Sequence, residues 1–349
     1  MKVMFYCTEK EDYAMKKDIK TNIEKKDMNS DLKRIGVLTS GGDCSGMNAC
    51  IRSIVRTSDA MQIEVYGFKK GYQGILDNDY LKLDSRAVSG TIETGGTFLQ
   101  SARCLDFKTE EGLQKGLENL RDLCIEGLIV IGGDGSLTGA QKLHDSGFPI
   151  IGIPASIDND LQGTDMSIGV DTALNAICNS VDMIRDTASS HERMFIIEVM
   201  GRNCGYLALA AAIATGAESA IIPEVPHNCE ALSKQLKRRY KEKKTNSIIL
   251  VAEGAGTAHD FAKQLQGKVG YDIRVSVLGH IQRGGKPTAF DRLLASNMGF
   301  TAVQALIDNK SGMMTTFTHN GYSLAPLSEV LEKQKPINPD LIDLNLLLE

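Results

Sequence analysis

Short apolar runs recur along the chain at intervals that leave room for a helix between them. Arg34-Ile-Gly-Val-Leu-Thr-Ser40, Glu64–Phe68, Leu128–Gly132, Phe148–Ile153, Met194–Met200, Ala220–Ile222 and Ser247–Val251 are short and bounded by turn residues, so they predict strands. Helical spacing fills the gaps. A helix is expected from Met47 to Thr57, and a second from Leu113, Gly116, Leu117, Leu120 and Cys124. Leu174, Ile177, Cys178, Val181 and Ile184 form an i, i+3, i+4, i+7 stripe that predicts a third. Gly71-Tyr72-Gln73-Gly74 reads as a loop. Strands alternating with helices imply right-handed crossovers and parallel pairing, hence a doubly wound α/β fold.

The length of 349 residues gives room for two domains and a sizeable core, and 34 glycines suit many tight strand-to-helix turns. A formal net charge of -5 argues against nucleic acid as a partner, since that needs a broad basic surface. An anionic small substrate would need local arginine clusters instead. No apolar stretch is long enough to span a bilayer, so no membrane association is expected. The 8 cysteines include no Cys-x-x-Cys pair, and no signal peptide is visible, which together lead us to expect a cytoplasmic chain with reduced thiols. Residues 1–33, charged and carrying Met4, Met15 and Met28, read as a poorly ordered or helical arm or an overlong start.

The chemistry concentrates at strand ends. Pro154-Ala-Ser-Ile-Asp-Asn-Asp160 follows a strand, where an α/β sheet opens its crevice. Asp158 and Asp160 explain poorly as caps, because the next helical signal begins only near Asp171. Two carboxylates this close repel unless a cation lies between them, which points to Mg²⁺. Asp158 can then accept a proton from a sugar hydroxyl while Asp160 or Asp134 anchors the metal. Gly132-Gly133-Asp134-Gly135-Ser136 ends a buried strand, and a hairpin turn is not expected there. A diphosphate can lie on such a turn while its carboxylate reaches Mg²⁺. Thr39-Ser40-Gly41-Gly42-Asp43 follows a strand and opens a helix; alone it is as often a tight turn as a phosphate site. Neither a dinucleotide fingerprint nor a P-loop occurs. Arg193 and Arg202 flank one strand, and Arg274, His280 and Arg283 form a further cluster. Converging arginine forks suit a phosphorylated substrate.

These motifs, with Gly95-Gly96-Thr97, Ser101-Ala102-Arg103 and the run from Arg274 to Gly285 followed by Asp291-Arg292, resemble those of the ATP-dependent 6-phosphofructokinases of the bacterial type. The resemblance covers about Arg34 to Asn338. It implies two doubly wound, Rossmann-like α/β/α domains with mostly parallel sheets and the active site in the cleft between them. Residues 34–170 plus 282–332 would bind nucleotide, and residues 171–281 plus 333–349 the sugar phosphate. The implied reaction moves the γ-phosphoryl of MgATP to the 1-hydroxyl of fructose 6-phosphate. Asp158 would be the base, Ser156 would bond the moving phosphoryl, Asp134 would hold Mg²⁺, and Arg103 and Arg202 would offset developing charge. Gly42, Tyr72, Arg103, Cys104 and Gly133, Asp134, Gly135 and Ser136 occupy the nucleotide positions. Met200, Gly201, Arg202, Glu253, His280 and Arg283 would meet the sugar phosphate, with Arg193 and Arg274 supplied by a neighbour in a homotetramer. Arg52, Arg56, Arg86, Arg185, Glu218, Lys243 and Lys244 resemble the family's effector site for nucleoside diphosphate and phosphoenolpyruvate.

The match departs from the family pattern in places. Gly135 is the ATP-type residue, since an aspartate there would obstruct the nucleotide's α-phosphate. Ala155 is neither the glycine usual in ATP enzymes nor the lysine of pyrophosphate enzymes. Cys104 stands where an aromatic commonly lies beside the adenosine, and Ser45 replaces a common proline. The competing readings are a pyrophosphate-dependent phosphofructokinase, a lipid or NAD kinase sharing the Gly-Gly-Asp-Gly turn, and a non-catalytic regulatory paralogue. The lipid or NAD kinase does not account for Arg274 to Arg292. The paralogue would be expected to have lost Asp134, Asp158 or Arg202, and all three are present.

Overall fold

The computed structural model describes residues 32–348; the charged lead-in, apart from its last two residues, lies outside them. In chain order the strands are β1 (Arg34–Ser40), β2 (Glu64–Phe68), β3 (Tyr80–Leu83), β4 (Gly127–Gly132), β5 (Ile150–Pro154), β6 (Arg193–Val199), β7 (Ser219–Ile221), β8 (Ser247–Ala252), β9 (Asp272–Val277), β10 (Met313–Thr318) and β11 (Gly321–Pro326). The helices are α1 (Met47–Ala60), α2 (Tyr72–Asp77), α3 (Glu110–Asp122), α4 (Asp134–Asp145), α5 (Val170–His191), α6 (Tyr206–Thr215), α7 (Cys229–Lys241), α8 (Ala258–Leu265), α9 (Ala289–Ile307), α10 (Leu327–Glu332) and α11 (Pro339–Leu348).

The strands form two sheets. One has seven strands in the order β11-β10-β5-β4-β1-β2-β3, and the other has four in the order β7-β8-β6-β9. All pairs in the smaller sheet are parallel. In the larger sheet β3 and β11 are antiparallel to their neighbours, at the two edges. The sheets are thus mostly parallel, as the family resemblance implied, with the two exceptions at the edges of the larger sheet. The turn between Thr318 and Gly321 is too short for a crossover, whereas β2 and β3 pair antiparallel with the short helix α2 between them.

Period-two alternation divides the larger sheet's side chains between two cores. Ile35, Val37, Ile129, Ile131, Ile151 and Ile153 face one way, toward α1, α5 and α9. Leu38, Leu128, Val130 and Ile150 face the other, toward α2, α3, α4 and α10. The first core continues through Ile197, Val199, Ile248 and Leu250 of the smaller sheet. The apolar layer thus runs unbroken beneath both sheets and holds them together. A third cluster around Leu236, Phe261 and Leu265 covers the far face of the smaller sheet.

Several local expectations change. Tyr72 opens the short helix α2 rather than lying in a loop. Cys124 lies beyond α3 in a left-handed turn (φ 54°), so it ends the apolar stripe without belonging to the helix. Helix α1 begins at Met47 as expected, after Gly46 with φ 113°, but Gly41–Ser45 is a loop ahead of it and does not itself open the helix.

Candidate active site

Parallel register puts three of the sequence motifs side by side. Ser40 at the end of β1 pairs with Gly132 at the end of β4, and Gly132 with Pro154 at the end of β5. The loops leaving these positions carry Gly41–Asp43, Gly133–Ser136 and Ala155–Asp160. The smaller sheet repeats the arrangement, with Val199 opposite Ala252 and Glu198 opposite Val277. Its strand ends lead into Met200–Arg202, Glu253 and the short 3₁₀ turn Gly279–Arg283. Strand carboxyl ends from both sheets therefore face one crevice, as open α/β sheets require.

A cavity of about 730 Å³ occupies that crevice, lined among others by Gly42, Asp134, Gly135, Ser156, Asp158, Asp160, Arg202 and Arg283. Asp134 begins α4, with Gly133 as its N-cap. The free backbone N–H groups of that first turn thus open onto the cavity, an arrangement suited to phosphate. A Cβ at Gly135 would meet nothing within 4 Å, so the bare backbone there reflects no packing demand of the protein. At Gly42 the reverse holds, since a Cβ would come within 2.4 Å of the Arg283 guanidinium. Glycine there lets this arginine of the far wall lie against the loop after β1.

Asp158 is the most perturbed acid facing the cavity. It is 6 % exposed, its backbone N–H donates to Ser156 Oγ at 3.3 Å, and its Oδ1 is buried without a hydrogen-bond partner. Burial, reinforced by Asp160, pushes its carboxyl up to about 6 against the pull of Arg202 and Arg283. Burial and Asp134 also raise Asp160, whose Oδ1 is likewise orphaned. Two unpartnered carboxylate oxygens beside a third acid fit a bound cation. Among the described residues no three His, Cys, Asp or Glu side chains converge to hold a metal alone. Mg²⁺ is commonly held by one or two carboxylates together with substrate phosphates and water.

The remaining predicted residues divide by position. Arg103, Cys104 and Ser136 line the cavity. Tyr72 also lines it, yet its ring stacks on Phe107 (centroids 4.3 Å apart) and its hydroxyl donates to Ser136 O at 2.6 Å. Tyr72 therefore braces the start of α4. Glu253 accepts from the backbone N–H groups of Gly201 and Arg202, at 3.3 and 2.8 Å, and so shapes the turn that presents Arg202 beside the buried Met200. Arg193 and Arg274, on the paired strands β6 and β9, both reach Asp272, at 3.3 and 2.7 Å. Neither is among the residues lining this chain's own cavity, and nor is the exposed His280.

The seven effector-type positions fall into two groups within one chain. Arg52 and Arg56 lie on α1; Arg86 follows Ser85, whose hydroxyl donates to Asp59 of the same helix. Arg185 donates to Thr215 O at 2.7 Å, and Lys243 and Lys244 follow α7. Glu218 is buried, paired with Arg239 at 2.9 Å and accepting from Ile248 N–H.

Sequence reasoning missed Phe107, Lys108, Thr138 and Lys142, which also line the cavity; no strand-end motif marks them. It also missed the bracing roles of two residues inside the motifs it quoted, Gln282 and Asp291. Gln282, 1 % exposed, accepts from Met200 N–H at 3.2 Å and donates to Gly279 O at 3.0 Å. Asp291, wholly buried, accepts from the Gly169 and Thr172 N–H groups at 2.9 and 2.8 Å. It thereby caps α5 from a distant helix. Its distance of about 120 residues along the chain hides that role from any local pattern.

The phosphofructokinase family model matches residues 34–306. The chain belongs to the phosphofructokinase family. It is 49% identical over 318 residues to a Thermotoga neapolitana protein named ATP-dependent 6-phosphofructokinase, covering 91% of this chain and all of that one. A protein of the same name from Halalkalibacterium halodurans is 49% identical over 314 residues, 90% of this chain and 98% of the other. The phosphofructokinase structure from Saccharomyces cerevisiae superimposes with a TM-score of 0.82 at 37% identity. That match covers 90% of this chain and 48% of the yeast one, so the chain spans about half the yeast length. A pyrophosphate-dependent phosphofructokinase from Marinobacter aquaeolei (TM-score 0.80, 24% identity, 91% of each chain) shares the fold. Two doubly wound α/β layers with a cleft between their strand ends are therefore the family architecture. Among the described residues no helix is long and apolar enough to cross a membrane.

Proposed function

We propose that this chain transfers the γ-phosphoryl group of ATP to the 1-hydroxyl of fructose 6-phosphate, with Asp158 as general base. The observation that carries the reading is the buried Asp158 carboxyl, whose Oδ1 has no hydrogen-bond partner and which lines one cavity with the glycine-bearing first turn of α4. At about 6 its carboxyl is ionised at neutral pH yet basic enough to take a hydroxyl proton as the oxygen attacks. Arg103, Arg202 and Arg283 supply fixed positive charge for phosphoryl oxygens, and Ser156 a hydroxyl donor. Mg²⁺, when bound, neutralises phosphate charge; Asp134 is the residue we assign to hold it, with Asp160 near by. The domain division given above, a nucleotide half and a sugar-phosphate half, belongs to the same reading.

ATP is favoured over pyrophosphate as donor by two features. The cavity, about 730 Å³, is lined also by Cys104, Leu105, Phe107 and Lys142, more room than pyrophosphate needs and enough for a nucleoside. Relatives at 49% identity are named ATP-dependent. The test is a coupled assay with fructose 6-phosphate and Mg²⁺, comparing the two donors. Turnover with pyrophosphate and none with ATP would overturn the donor assignment.

We further assign Arg193 and Arg274 to the sugar phosphate of a neighbouring subunit in a homotetramer. Their position at Asp272, off the chain's own cavity, supports this. Arg52, Arg56, Arg86, Arg185, Glu218, Lys243 and Lys244 are proposed as an effector site for nucleoside diphosphate and phosphoenolpyruvate. Rates that stay flat through titrations with either compound would count against it. Glycolytic phosphoryl transfer implies a cytoplasmic location.

A further inference from the structure

Lys335 is a cation that the mechanism above does not use, yet it contacts the loop that carries Asp158 and Asp160 and lies near Tyr206 at the start of α6. It follows α10, in the segment between α10 and α11. Gln334 forms an isolated antiparallel bridge with Leu161, and the Lys335 backbone N–H donates to Asp160 O at 3.2 Å. Its ammonium donates to Asp165 O at 2.7 Å. Asn159 Nδ2 reaches the same carbonyl at 3.1 Å, and Asn159 Oδ1 accepts from Ser167 N–H at 3.1 Å. The loop that carries Asp158 and Asp160 is thus closed on itself at one point, where Lys335 supplies the charged donor.

Its other neighbour is the start of α6. The Lys335 ammonium lies 6.0 Å from the centroid of the Tyr206 ring, a cation–π separation. Tyr206 is the first residue of α6, four positions after Arg202, and Cys204 N–H donates to Gly201 O within the intervening turn. Tyr206 also reaches Met166 Sδ at 3.5 Å, so it contacts the chain next to Asp165 as well. One side chain consequently links the loop of the larger sheet that bears the base to Tyr206, at the start of the helix that follows the Arg202 turn.

We propose that Lys335 is a positioning residue for phosphoryl transfer, holding the Asp158–Asp165 loop and the Arg202 turn in register across the crevice. It contacts no reacting atom. Its effect is on the relative placement of a base and a charge-stabilising arginine, and reaction rates are steeply sensitive to such placement. The proposal rests on the phosphoryl-transfer reading above.

The experiment compares wild type, Lys335→Met and Lys335→Arg in the ATP and fructose 6-phosphate assay. Lys335→Met keeps the length of the side chain and removes the charge and the donor. We expect it to lower kcat by about tenfold while both KM values stay within about threefold, because placement matters most in the transition state. Lys335→Arg, which restores a charged donor, is expected to recover most of that loss. Should Lys335→Met fail to fold, Lys335→Gln, which keeps a donor for Asp165 O without the charge, takes its place with the same expected split. A folded neutral variant with wild-type kcat would overturn the proposal, as would a loss that arginine does not restore. An inactive wild type would instead overturn the phosphoryl-transfer reading.

Discussion

Replacing Asp158 by asparagine preserves shape and removes charge, so it separates the acid's chemical role from its cost to the fold. Burial and Asp160 raise this carboxyl from 3.8 to about 6. A shift of about two units corresponds to roughly 3 kcal/mol. Between those two values the folded chain keeps a proton that the unfolded chain has released. Stability therefore falls as pH rises through this window, and the penalty is fully present above about 6. Asparagine carries no such charge. At pH 7.5 the variant should be more stable than wild type by about 3 kcal/mol, less the cost of burying the amide. Near pH 5 roughly half of that gain should remain. Turnover should move the other way, falling by at least ~10² through loss of the base. The assays are thermal melting at matched protein concentration across pH 5–7.5 and steady-state kinetics at pH 7.5. Turnover within tenfold of wild type would refute Asp158 as base. A stability difference independent of pH would refute the electrostatic account of its raised pKa.

Four further outcomes follow from the geometry. In wild type, kcat/KM should fall about tenfold per unit as pH drops below about 6, where Asp158 gains its proton; a flat profile down to pH 5 would contradict this. Gly135→Asp should leave the melting temperature unchanged, since nothing lies within 4 Å of the new Cβ, yet reduce kcat/KM for ATP by roughly 10² through charge repulsion. Arg274→Ser should chiefly raise the sugar-phosphate KM, with kcat largely kept, if the residue serves a neighbour's site. Asp291→Ala strips the Gly169 and Thr172 N–H groups of their acceptor and should cost about 2–3 kcal/mol in denaturant unfolding.

Much of this protein was legible along the chain because its central strands are buried on both faces. Such strands read as unbroken apolar runs, and β1, β4, β5, β6 and β8 were foreseen from them. Edge strands are marked less evenly: Ala220–Ile222 announced β7, but β3, β9 and β11 were not foreseen. β3 and β9 are half polar, β11 carries Ser323 and Tyr322, and their pairing is decided by what lies beside them in space. The same division holds in the site. Glycines and acids at strand ends announced themselves, because a strand that exits into Gly-Gly-Asp-Gly has few structural reasons to do so. What the primary structure determined, then, was which residue types could do phosphoryl chemistry and which strands present them. The tertiary structure alone decided their company: that Ser40, Gly132 and Pro154 stand abreast, that Arg202 and Arg283 face Asp158 from another sheet, and that Asp291, Gln282 and Lys335 brace the loops between. The physical reason is that bracing is a contact between segments 80 to 175 residues apart. Local sequence carries no record of a hydrogen bond whose partner lies that far along the chain.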